Sequence, residues 1–265
     1  MQRYKGNVRS ATAPVTSLGG ASGIWTPTEA MQAKQASAWP SAGTGGSIAL
    51  NGSSQYLTAA SAQSPPTLGT AIFTIEAFVK FAALPANGSF ANICNQGNGT
   101  DFRFFLNGSA TAGQGFLTAW QGASTKWQTV ASGIVIDTWY HICVMRSSST
   151  VLDIYVNGTK LSKTTDTTTL VTYTATGMYV GGESGNYRVN GNITNFRYVN
   201  GTAVYNVNGF TPPTSPLTNI TNTKLLLLAN DSGTFTNDSS TANSGGPYTV
   251  TNVGGATFSV TTPFA

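Results

Sequence analysis

Eight Asn-Gly pairs, beginning at Asn51, Asn87, Asn98, Asn107, Asn157, Asn190, Asn200 and Asn208, cut the chain into short alternating runs. No other feature restricts the fold as strongly. A two-residue hairpin loop of type I′ needs positive φ at both central positions, which Asn tolerates and Gly adopts freely. The stretch DIYVNGTKL, residues 153–161, has that form: an alternating run, Asn157-Gly158, then a polar residue opening the return strand. Several pairs, Asn157-Gly158-Thr159 among them, also match the N-x-[ST] glycosylation acceptor. The turn is the favoured reading, because Ser and Thr suit the start of a returning strand. A glycan also requires a secretory route, and MQRYKGNVRS has neither the apolar core nor the cleavage site of a signal peptide.

From Ser47 onward the pattern is β throughout. SIALNGSSQYLTAA, FTIEAFVKF, FRFFLNG, GFLTAWQG, KWQTVASGIVI, WYHICVMR and VLDIYVNGTKL follow one another closely. GMYVGG, NGNITNFRYVNG, KLLLLAN, PYTVTNV and ATFSVTT continue the series. About a dozen short strands with Gly and Asn turns predict an all-β fold of two antiparallel sheets packed face to face. FTPPTSPL, residues 210–217, is a Pro-rich bridge where strand pairing should pause. In FTIEAFVKF, Phe73, Ile75, Ala77 and Val79 share one face, and Thr74, Glu76, Phe78 and Lys80 the other. In WYHICVMR, Tyr140, Ile142 and Val144 alternate with Trp139, His141, Cys143 and Met145. Two largely apolar faces mark a strand central to a sandwich. An aromatic content of 11% supplies a core, although only 8% of residues are charged. A chain of 265 residues needs no disulfide or metal staple, and no apolar run reaches the length of a membrane span.

The N-terminal segment reads differently. Residues 1–24 are rich in Gly, Ser, Thr and Ala without periodicity and read as an extended arm. In TPTEAMQAKQASAWP, Thr26 caps a helix, Pro27 fits its first position and Glu29 completes a capping box. Pro40 stops it, which predicts one short helix over 27–38. Residues 1–42 therefore form an arm with a helix, and residues 43–265 the sandwich, closed by strands over 224–264. Arg3, Lys5, Arg9 and Lys34 against Glu29 place +3 of the chain's net +4 in residues 1–40. The remaining body is nearly neutral, which argues against a nucleic-acid surface there.

LNGSSQYLT, FTIEAFVKF, WYHICVMRSSSTVLDIYVNGTKL, MYVGG and VNGNITNFRYVNGTAVY, leading into FTPPTSPL, together resemble the laminin G-like, concanavalin A-like jelly-roll family. The resemblance covers residues 47–217, with a tail to 264. GTAVYNVNGFTPPTSPL followed by TKLLLLANDSGTFTNDSS is similar to segments in structural proteins of tailed marine bacteriophages. GIWTPTEAMQAKQASAWP is similar to their lead-in segments. The resemblance implies a non-enzymatic virion structural protein, a surface decoration or head-fibre component able to adhere to host-surface glycans. Its alternative is a tail-associated receptor-binding lectin. Arg3, Tyr4, Lys5, Arg9, Trp25 and Trp39 would then anchor the arm to other virion proteins of capsid or tail, and the displayed domain would be a homo-oligomer.

Chemistry is sparse. Glycoside hydrolases need two carboxyl groups flanking the scissile bond. The acid-x-acid-x-x-acid strand motif of related hydrolases is absent, and Glu76, Asp137 and Glu183 are isolated in sequence. Glu76 is expected on a solvated outer face. His141, the sole histidine, reads as a satisfied core residue. Cys94 and Cys143, 49 positions apart, read as two buried free thiols, with pairing the alternative. Laminin G-like domains often bind calcium through one or two Asp. Here Asp101, Asp166, Asp231 and Asp238 form no D-x-D-type cluster and read as turn caps. Sugar binding needs an aromatic platform and planar polar groups. Trp120 and Trp127 bracket QGASTK, and Tyr187 and Arg188 follow MYVGGESG in a Gly-rich loop. These four are the candidate ligand residues, with at least one Trp expected in the core.

Overall fold

The computed structural model describes residues 16–17, 20–21, 45–59, 65–99, 101–121, 124–166, 172, 174–241 and 247–264. The predicted helix over 27–38 and the anchoring residues Arg3, Tyr4, Lys5, Arg9, Trp25 and Trp39 lie outside the described residues. In chain order the strands begin with β1 (Thr16–Ser17), β2 (Gly20–Ala21), β3 (Ser47–Asn51), β4 (Tyr56–Ala59), β5 (Phe73–Ala83) and β6 (Phe90–Asn95). They continue as β7 (Phe102–Asn107), β8 (Phe116–Gln121), β9 (Ser124–Ala131), β10 (Trp139–Arg146), β11 (Leu152–Val156) and β12 (Thr159–Lys160). The last are β13 (Lys163–Asp166), β14 (Met178–Val180), β15 (Asn190–Asn200), β16 (Thr223–Leu227), β17 (Thr251–Val253) and β18 (Thr257–Ser259).

β1 pairs with β2, and the other strands form the two antiparallel sheets that the alternation predicts. Sheet one has the order β12-β11-β10-β5-β15-β3-β18. Its long strand β15 pairs with β5 on one side. On the other side β15 pairs with β3 through Asn190–Ile193 and with β16 through Phe196–Val199. Sheet two has the order β13-β9-β8-β7-β6-β14-β4-β17.

The core lies between the sheets. Phe73, Ile75, Ala77 and Val79 of β5 point into it as expected, together with Phe81. Phe102, Phe104 and Leu106 of β7 meet them from sheet two, and the Phe73 and Phe102 rings touch edge to face at 5.9 Å. Burying each such side chain contributes about 1.5–3 kcal/mol.

The opposite face of sheet one is also covered, and here an expectation is corrected. Glu76 is not solvated but 1% exposed. The Pro-rich bridge, which indeed forms no strand, is the reason: residues 201–217 run as a strap across this face. Phe210 stacks on Tyr205 at 3.8 Å, and both pack on Cys143, Met145 and Tyr155. Beneath the strap, Glu76 Oε1 accepts from Arg197 Nε (2.9 Å) and Nη2 (2.6 Å). Its Oε2 accepts from Tyr205 Oη (2.6 Å) and lies 2.9 Å from His141 Nε2. His141 is thus a core histidine with a partner, as expected. Burial pulls the Glu76 carboxyl upward, but His141, Arg197 and Tyr205 together hold it below its ordinary value. Cys143 lies under the strap and Cys94 in the main core, as two free buried thiols. Burial pushes both thiols up.

Asn157 and Gly158 adopt φ values of 48° and 73°, the two positive angles of a type I′ turn joining β11 to β12. The turn reading of DIYVNGTKL is therefore correct for the backbone. The two positive angles are not general to the Asn-Gly pairs: Asn51, Asn87, Asn107, Asn200 and Asn208 do not take positive φ, and Asn190-Gly191 lies inside β15 where the register with β5 shifts. A Cβ on Gly191 would stand 2.1 Å from Lys80 O, so glycine there permits close strand approach and makes no turn.

Candidate functional site

The outward face of sheet two carries a group of aromatic and charged side chains near the surface. Alternation in β7 sends Phe102, Phe104 and Leu106 inward and leaves Arg103 and Phe105 facing out. In register, Arg103 stands opposite Trp120 of β8, whose inward neighbours are Leu117 and Ala119. The Arg103 guanidinium lies 4.8 Å from the Trp120 ring centre, 5.6 Å from Phe90 and 5.8 Å from Tyr187. Cation–π attraction holds a guanidinium over such rings.

The loop over residues 181–189 folds back across this face. Gly181 N donates to Ile93 O (2.9 Å), Asn92 N to Tyr187 O (2.8 Å) and Asn95 Nδ2 to Gly182 O (3.0 Å). Two side chains of the loop complete the group. Glu183 receives Arg103 bidentately, Nη2 to Oε1 at 2.8 Å and Nε to Oε2 at 3.2 Å. Burial pushes the Glu183 carboxyl above its ordinary value, with Arg103 acting in the opposite sense. Tyr187 lies flat on Phe90, with ring centres 3.7 Å apart and planes at 14°, while Phe90 contacts Phe105 at 4.4 Å. Tyr187 stays 37% exposed and has φ of 62°. Positive φ at a bulky aromatic costs about 1–3 kcal/mol and persists only where its surroundings impose it.

Beyond Tyr187, the Arg188 guanidinium lies 5.6 Å from the Tyr56 ring, and its Nη1 donates to Ser53 O (2.6 Å) and Gly185 O (3.0 Å). Ala83, Pro85, Ser89, Phe90, Tyr187 and Arg188 help line an open pocket of about 240 Å³.

The candidate residues thus separate. Trp120 and Tyr187 both lie near the Arg103 guanidinium, and Arg188 lines the adjoining pocket. Trp127 does not join them: it is 3% exposed in the main core, opposite Ala119, where the inward alternation of β9 places it. Sequence reading missed Arg103 and Phe90, and took Glu183 only as an isolated carboxylate. The signal for Arg103 was its place between inward Phe102 and Phe104 in DFRFFLNG.

The loop aspartates have structural partners. Asp101 accepts from the backbone of Thr174 and Ala175, and Asp238 from that of Leu226, Ser240 and Tyr248. Asp231 caps Gly233 and Thr234, and Asp166 pairs with Lys163. Among the described residues, no group of three or more His, Cys, Asp and Glu is placed to hold a metal ion. Among them, no helix is long and apolar enough to cross a membrane.

No curated protein sequence matches the chain. Several solved structures show a partial likeness to the chain. A native heptameric SAP-like pentraxin from Limulus polyphemus is 16% identical, over 58% of this chain and 76% of the pentraxin, at a TM-score of 0.45. Domain 4 of AbnA, an extracellular GH43 arabinanase from Geobacillus stearothermophilus solved with arabinotriose, is 15% identical. That likeness covers 60% of this chain and 72% of the domain, at a TM-score of 0.44. Trypanosoma rangeli sialidase is 17% identical over 48% of this chain but 20% of its own, at a TM-score of 0.35. The family assignment comes from the sequence itself, because the profile of the concanavalin A-like lectin/glucanases superfamily matches residues 51–204, more than half the chain. The chain belongs to the concanavalin A-like lectin/glucanases superfamily.

Proposed function

We propose that this chain is a non-catalytic glycan-binding jelly roll displayed on the surface of a tailed-phage virion. The observation that carries the glycan reading is the exposed Tyr187 ring, stacked on Phe90 beside the Arg103–Glu183 pair. A sugar ring packs its C–H face on an aromatic plane and offers hydroxyls to planar polar groups. The positive φ of Tyr187 shows backbone strain at this spot, as recurs at ligand sites. Membership of a superfamily of lectins and glucanases supports the ligand class.

The non-catalytic part of the reading rests on where the carboxylates go. Glu76 is sealed under the strap, and Glu183 is engaged by Arg103. Asp153 and Asp166 share Lys163. The pocket beside Tyr187 has no carboxylate in its lining, and a second, of about 400 Å³, has Asp238 alone. The virion placement rests on the resemblance of residues 201–240 and 23–40 to phage structural proteins. On that reading residues 1–42 attach to other virion proteins and the body assembles as a homo-oligomer.

A glycan array probed with the full chain tests the binding. Retention of a defined set of glycans is expected, weakened at least about tenfold by Tyr187→Ala and also reduced by Trp120→Ala, with the fold intact by circular dichroism. Trp127→Ala should instead lower stability by about 3–5 kcal/mol. Retention indifferent to Tyr187→Ala, or no retention at all, would sink the site. Turnover of any bound glycan that disappears in Glu183→Gln would overturn the non-catalytic reading.

A further inference from the structure

The two arginines of the site differ in how their charge is balanced. Arg103 is neutralised by both oxygens of Glu183. Arg188 bonds to neutral oxygens, those of Ser53 and Gly185, and forms no ion pair among the described residues; Glu183, already taken by Arg103, feels its charge only at longer range. Its Nε is buried without a hydrogen-bond partner. Two guanidinium groups against one carboxylate leave a positive charge at the pocket wall. The two bonds from Nη1 fix the guanidinium plane, so the Nη2 amino group, which makes no hydrogen bond among the described residues, is oriented before any ligand arrives.

The rest of the pocket is small and open. Its surface is mainly polar, with Ser89 and Asn190 beside Arg188, and Ala83, Pro85, Phe90 and Tyr187 supply a smaller apolar part. Its volume of about 240 Å³ falls below that of pockets enclosing drug-sized ligands, about 300–1,000 Å³, and suits one sugar residue.

We infer that this pocket selects an anionic sugar residue, whose carboxylate or sulfate is met by Arg188 while its ring lies against Tyr187. The inference rests on the glycan-binding reading above and names its ligand class. A guanidinium pairs with a planar carboxylate or a sulfate through charge-assisted hydrogen bonds, which are stronger than those to neutral hydroxyls.

Titration calorimetry of the full chain with four probes tests it: oligogalacturonate, its methyl ester, a sulfated galactan oligosaccharide and the unsulfated galactan. At least one charged probe should bind about tenfold tighter than its neutral counterpart, the equivalent of about 1.4 kcal/mol. Which charged probe shows the preference identifies carboxylate or sulfate. Arg188→Gln should remove the preference for the charged probe, whereas Tyr187→Ala should weaken all binding. Arg188→Lys keeps the charge without the fixed guanidinium plane and should retain a reduced preference, which preserves the test if Arg188→Gln fails to fold. Equal binding of charged and neutral probes would overturn the anionic inference and leave the platform standing. A charged preference that survives Arg188→Gln would overturn it too. Binding to none of the four, with no glycan retained on the array, would remove the platform and the inference together.

Discussion

Gly158 meets two demands at once. Its φ of 73° belongs to the turn, and a Cβ there would stand 1.8 Å from Phe210 O in the strap. Gly158→Val should therefore cost more than a turn alone, roughly 3–5 kcal/mol by urea unfolding. Asn157→Asp should shift stability by less than about 0.5 kcal/mol, because Asp-Gly serves the same turn. The acceptor that Asn157 Oδ1 offers to His141 N (2.9 Å) survives as a carboxylate oxygen. The turn was legible because its requirement is local: two adjacent residues must tolerate positive φ. Asn190-Gly191 shows the limit of the same signal. What holds glycine there is Lys80 O arriving from a strand about a hundred positions away, and a dipeptide carries no record of it. The two tryptophans separate for a similar reason. Trp120 and Trp127 lie on the two strands of one hairpin, yet only the strand register tells which one stands beside inward-facing Ala119 on the neighbouring strand.

Among the elements, the strap over sheet one decides most. Alternation correctly divided β5 and β10 into two faces, but could not tell that an irregular, Pro-rich segment would cover the second. Glu76, placed by pattern in solvent, is instead the shared acceptor beneath that segment. Glu76→Ala should cost about 3–5 kcal/mol in chemical denaturation, because it strands the buried Arg197 charge. The pH dependence follows from the carboxyl being held below its ordinary value of 4.5 in the folded chain. As pH falls through that value the unfolded chain takes up the proton first, so the native state loses this contribution. Denaturation midpoints between about pH 3 and pH 6 should slope accordingly, and Glu76→Gln should flatten that slope. A midpoint unchanged by Glu76→Ala would show that the network adds nothing. The candidate site was legible only in part, for a related reason. Tyr187 and Arg188 stood out in a Gly-rich loop, but Arg103, Phe90 and Glu183 come from three separate segments. They meet through the strand order β8-β7-β6 and the fold-back of residues 181–189.

For the whole molecule, the matched family region is not the folded unit. The profile ends at residue 204, yet β16, β17 and β18 lie beyond it, and β3 begins before it. The Ser47 hydroxyl donates to Thr261 O at 2.7 Å, across 214 positions. A fragment cut to residues 51–204 should fail to give a cooperative unfolding transition. Removing residues 1–40 should leave the denaturation midpoint of the body within about 0.5 kcal/mol of the full chain. On the virion reading it should also abolish incorporation into particles, which electron microscopy and particle composition would report; normal incorporation would count against the anchoring role. The wide stitching has a further consequence for how the molecule is made. β3 and β4, the first strands of the body to leave the ribosome, find their partners in β15, β18, β14 and β17. None of these exists until residue 178 has been synthesised, and β18 closes at residue 259. Through most of translation SIALN and YLTA are therefore bare strands awaiting mates, open to pairing with a neighbouring nascent chain. The earliest residues of the body become secure last, when the C-terminal strands fasten them like a clasp.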